Sequence, residues 1–149
     1  KRYARWLEEL RDPPGLRPYE SFSALAERLR AGNKRLTVDK AEFLARHWGQ
    51  EIAGKGVVLR GDPAHKIVNP VLYRYEEVRA CWEQIRAPVL WVEGAESETP
   101  QRLHLNSAQL AERRTAFRNL RTVTVSDAGH MLHHDQPEAV ARLVEEFLS

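Results

Sequence analysis

An α/β fold is predicted for the second half of this 149-residue chain, behind a helical first half. Two patterns predict it. From Tyr73 to Ser149, apolar runs of strand type alternate with amphipathic helical stripes, the spacing of βαβ units and of a parallel sheet. Residues 1–50 carry instead three short helical stripes with no strand between them. The composition, 42% hydrophobic and 30% charged, is that of a globular chain with much helix surface in water. A division follows, with residues 1–70 as a helical segment and 71–149 as an α/β segment.

Tyr3, Trp6, Leu7 and Leu10 recur at helical spacing, so residues 1–11 read as a helix that Asp12-Pro13-Pro14-Gly15 stops. Ser21 caps a second helix with Phe22, Leu25, Ala26 and Leu29 inward and Gly32 just past its end. Thr37 caps a third, with Ala41, Leu44, Ala45 and Trp48 inward. Glycines and prolines between 50 and 72 rule out a long helix there; Val57-Val58-Leu59 reads as a short extended piece in a linking segment, with turns at Asp62-Pro63 and Asn69-Pro70. Val78, Cys81, Trp82 and Ile85 form the next helical stripe, and Cys81 lies on its buried-looking face. Residues 88–92, Pro-Val-Leu-Trp-Val, are the continuous apolar run of a strand buried on both faces. A loop spans 94–100, a helix the second half of 101–118, and a second strand 121–126. Val140, Leu143, Val144, Phe147 and Leu148 give the last helix a buried stripe, led by Pro137.

The net charge of +2, with both signs interspersed, argues against a nucleic-acid surface. One cysteine, Cys81, allows no internal disulfide and fits a reducing compartment, so a cytoplasmic location is expected. No apolar run reaches the roughly 18–20 residues of a membrane span. The chain starts at Lys1 inside a helical pattern, which reads as a cut. The 88–92 strand also needs a second neighbour that these residues do not supply.

Chemistry concentrates at Asp127-Ala128-Gly129-His130, where a strand turns toward the Pro137-led helix. A histidine held at a strand's end, beside a small residue, is open to substrate and can shuttle protons. With Ala87-Pro88-Val89-Leu90-Trp91-Val92-Glu93-Gly94 and the loop Ala95-Glu96-Ser97-Glu98, this region resembles the α/β-hydrolase family across Tyr73–Ser149. The resemblance implies the C-terminal part of an α/β-hydrolase fold, its last two parallel core strands with flanking helices, plus a helical cap at residues 1–70. It implies a hydrolase of an ester or related bond, working by a Ser–His–acid mechanism, with His130 as the base. The family often carries its acid as Gly-x-x-Asp, where this chain has Ser97; members with Gly-x-x-Ser-Asp put the acid one residue later, which gives the role to Glu98. Glu96, or a residue on an earlier strand, is the alternative acid.

No Gly-x-Ser-x-Gly elbow and no His-Gly-Gly loop exist in these residues, so the nucleophile must lie upstream and hydrolysis by this stretch alone is not expected. An Asp nucleophile would make the parent a dehalogenase or epoxide hydrolase, and a non-catalytic binding protein on a hydrolase scaffold is a reading of another class. His133, His134 and Asp135 follow His130 too closely to converge on a metal, so neither metal nor cofactor is expected. Asp127 shapes the turn. Trp6 and Trp48 pack on helix faces, and in a cap they would line a pocket for a small apolar substrate.

Overall fold

In the computed structural model all 149 residues are described, and they divide into two compact units, Lys1–Leu72 and Tyr73–Ser149. The first unit is built on α2 (Phe22–Gly32) and α3 (Val38–Trp48). Their starts are fixed as the sequence implies: Ser21 Oγ accepts from Ala24 N and Thr37 Oγ1 from Lys40 N, which satisfies a free amide in each first turn. Leu25, Ala26, Leu36, Ala41 and Ala45 bury one apolar core with Val57. The small alanines let the two helices approach closely, and Leu25 fills the space between, only 1% exposed.

The segment after α3 is not a plain linker. Strands β1 (Gly49–Ile52) and β2 (Gly56–Leu59) form an antiparallel hairpin, with Gly49 opposite Leu59 and Ile52 opposite Gly56. The expected extended piece at 57–59 is there, but its partner strand was hidden, because β1 buries little beyond Gly49 and so lacks an apolar signature. Gly54 and Gly56 turn the hairpin at φ +73° and +83°, a region that glycine enters without a Cβ penalty. A Cβ on Gly56 would also collide with the carbonyl of Tyr19. Tyr19 and Val57 exchange two backbone hydrogen bonds of 2.8 Å, so a single residue ahead of α2 bridges to the hairpin, a contact that the helical reading of residues 1–50 does not include. The helix α1 (Arg2–Arg11) buries none of its residues. Polar ties hold it instead: Glu9 accepts from Val68 N at 2.5 Å and from Arg5 Nε at 2.7 Å, and Arg2 donates to the carbonyl of Asn69.

In the second unit, β3 (Val89–Gly94) and β4 (Leu120–Val125) are parallel neighbours in register from Val89 opposite Leu120 to Gly94 opposite Val125. They form a two-stranded sheet, and β3 pairs on one side alone. Five of its six residues are only half-buried, although the sequence is that of a strand covered on both faces. Between the strands lie α5 (Thr99–Arg102) and α6 (Ser107–Arg114), the latter closed by a capping box in which Asn106 and Gln109 each accept from the other's backbone N–H. The helix α4 (Tyr75–Trp82) precedes β3. Trp82 stacks on Phe117 at 5.3 Å, and Phe117 meets Trp91 edge-on at 6.1 Å, which joins α4 to the sheet. Arg79 adds polar ties to Glu112 and Glu83. Cys81 is exposed, contrary to its place on the apolar stripe, since Trp82 takes the inward position. After β4 come a short helix α7 (Leu132–Asp135) and the final α8 (Pro137–Leu148), whose apolar stripe is incompletely covered, with Val144 41% and Leu148 76% exposed. No helix is long and apolar enough to cross a membrane.

Candidate active site

The loops after β3 and β4 meet at the end of the sheet. Both strands run the same way, so both deliver their following loops to one edge. Main-chain bonds join the loops: Ala95 N donates to the carbonyl of Val125 and Glu96 N to that of Ala128, each at 2.9 Å. Gly94 makes this approach possible, because a Cβ there would collide with the carbonyls of Ala128 and Gly129. Asp127 turns the chain at φ 52°, in the left-handed region that Asp tolerates better than most residues. Ala128 and Gly129 are buried, and His130 emerges exposed.

The turn is held from behind by a residue that motif reading passed over. Asp135 is 7% exposed, and its Oδ2 accepts from Gly129 N at 2.8 Å. Its sequence signal was weak, since it ends a His-His-Asp run that suggests a polar surface, and only the turn of α7 points it inward. Gln136 adds a bond to the carbonyl of Asp127 at 3.2 Å. Burial holds the pKa of His134 below the ordinary histidine value; the neighbouring His133 pushes the same way and Asp135 opposes.

In front of the turn, His130 Nδ1 lies 2.9 Å from the hydroxyl of Thr99. Ser97 Oγ donates to Thr99 Oγ1 at 3.1 Å and accepts from Thr99 N at 3.3 Å. Glu98, between them in sequence, points elsewhere. It pairs with Arg102 at 3.2 Å, with both side chains more than 70% exposed. Glu96 is also exposed. His130, Ser97 and Thr99 line a cleft of about 530 Å³ whose walls include Trp82, Trp91 and Leu110. Glu93, in the same wall, is neutralised by Arg114, whose Nη2 lies 2.7 Å from both carboxylate oxygens.

No protein-family model matches the chain, and no curated protein is similar to it. Solved structures are similar. E-2-(acetamidomethylene)succinate hydrolase aligns with 99% of this chain and 51% of its own, at 19% identity and a TM-score of 0.69. The thioesterase domain from the curacin biosynthetic pathway covers 97% of this chain and 50% of its own, at 21% identity and 0.74. An esterase of Mycobacterium tuberculosis covers 99% and 47%, at 20% identity and 0.71. The chain has the α/β-hydrolase fold. It spans about half the length of the solved structures it matches, and the β3–β4 pair with α8 behind it is the C-terminal part of that fold.

Within this α/β-hydrolase half, the expected base stands at the strand-end turn and opens on the cleft, in contact with Thr99. The expected acid, Glu98, is one residue from that contact but makes none with the imidazole in this arrangement. Thr99 was invisible as a site residue, since a threonine two places after Ser97 matches no motif. Trp6 and Trp48 lie in the first unit. Trp6 packs edge-on against Tyr3 at 6.1 Å, and Trp48 is 40% exposed at the end of α3.

Proposed function

We propose that this chain is the C-terminal part of a hydrolase that cleaves an ester or related bond by a Ser–His–acid mechanism. The nucleophile lies upstream of these residues. His130 takes the nucleophile's proton and later activates water. The observation that carries this reading is the placement of His130: the turn is fixed from behind by Asp135, Nδ1 is anchored, and the ring borders a cleft with aromatic walls. Glu98 is the acid of this reading, held in this arrangement by Arg102 and not against the imidazole. Residues 1–70 act as the cap, and the exposed edge of Trp48, with Trp6, supplies apolar contact for a small substrate. Hydrolysis of p-nitrophenyl butyrate by the full-length protein and its His130→Ala variant tests this. A loss of roughly 10²–10⁴-fold in kcat is expected of a general base; equal rates would reject the role.

A second reading is a non-catalytic protein that keeps the hydrolase scaffold. One observation favours it: the partner of His130 Nδ1 is a neutral hydroxyl, where catalysis is usually served by a carboxylate. Binding of an ester substrate without turnover, by wild type and His130→Ala alike, is its signature.

A further inference from the structure

The histidine of a Ser–His–acid site needs two services. Its ring must be held with Nδ1 protonated, so that Nε2 presents a lone pair to the nucleophile, and the positive charge that develops must be stabilised. One carboxylate usually does both. Here the neighbouring side chains are placed differently. The Thr99 hydroxyl is the side chain at Nδ1, at 2.9 Å, whereas the Glu98 carboxylate is turned to Arg102. Thr99 is itself well fixed. Its hydroxyl receives Ser97 Oγ, its backbone N–H is tied to the same oxygen, and it occupies the first turn of α5 ahead of Pro100. A threonine oxygen has two lone pairs, enough to accept from both Ser97 and an Nδ1–H.

We infer that Thr99 is a positioning residue that sets the tautomer of His130 by accepting its Nδ1–H, leaving Glu98 a weaker, through-space role. This inference rests on the hydrolase reading for its consequence in catalysis, but not for its geometry. The alternative hydrogen arrangement, with the Thr99 hydroxyl donating to a bare Nδ1, would leave the proton on Nε2 and a ring unable to act as a base. The two arrangements are therefore distinguishable without substrate.

The full-length protein, ¹⁵N-labelled and held at a pH above the ordinary imidazole range, is read by long-range ¹H–¹⁵N correlation, with His130→Gln identifying the ring. The expected result is Nδ1–H in wild type and in Thr99→Ser, and loss of that preference in the near-isosteric Thr99→Val. With p-nitrophenyl butyrate, Thr99→Val lowers kcat by about ten- to a hundredfold with little change in KM, the scale of a misplaced catalytic group. Thr99→Ser stays near wild type, and Glu98→Gln loses less than Thr99→Val. Nε2–H in wild type would overturn the inference, and that needs no variant to fold. So would an unchanged tautomer and kcat in Thr99→Val. A tautomer that follows Thr99 in a protein without hydrolysis, wild type included, keeps the positioning role and removes the hydrolase reading.

Discussion

Asp135 carries much of the local order around His130. A buried carboxylate accepting one amide proton leaves that amide with nothing if the carboxylate is removed, and an unsatisfied buried N–H costs about 1–3 kcal/mol. Asp135→Ala is therefore expected to destabilise the fold by that order in urea titration and to lower any His130-dependent rate. Asp135→Asn, which keeps an acceptor oxygen, should recover most of both; equal loss in the two variants would mean that the charge, not the acceptor, matters. The contrast between His130 and Asp135 shows what a sequence can display at this scale. His130 was legible because a turn, a glycine and a following Pro-led helix surround it at fixed spacing. Asp135 and Thr99 were not, because their roles depend on which way a short helix and a loop turn, and α7 and α5 are four residues each, too short for any periodic signal.

The helices α2 and α3, with strong periodicity and chemical caps, and the two parallel strands, with their β-branched and apolar runs, were readable to within two or three residues. The β1–β2 hairpin was half-missed because one of its strands is polar and short. The helix α1 presents the opposite case: its pattern is amphipathic, yet its attachment is polar. The pKa of Glu9 is lowered, first by the Val68 N–H bond and then by Arg5. A carboxyl lowered in the folded state contributes stability that is present above its unfolded value and lost as pH falls through the folded one. The protection of the Val68 amide, its exchange rate relative to that of the unfolded chain at the same pH, should accordingly fall under acid, below the ordinary carboxylate range, and Glu9→Gln should show weaker protection already at neutral pH. Protection independent of pH in the wild type would place the attachment of α1 elsewhere.

At the scale of the whole molecule, the two-stranded sheet matters most. The free side of β3 offers unpaired backbone groups on a Val-Leu-Trp-Val strand with no proline or lysine to block pairing. The 149-residue chain on its own is expected to associate as concentration rises, seen as growth of the sedimentation coefficient; a monomer at every concentration with sharp reversible unfolding would contradict this. The same sheet brings its two outgoing loops together first through carbonyls, amides and the bare Cα of Gly94, ahead of the side-chain contact between Thr99 and His130. Such a join asks little of the exposed side chain at 95, but it is strict about count, and about size at the fully buried Ala128. Position 95 is therefore expected to accept other letters, whereas an inserted or deleted residue between 94 and 96 breaks the join, and changes of length are accommodated outward, beyond Arg102, where the chain can bulge without unhooking His130.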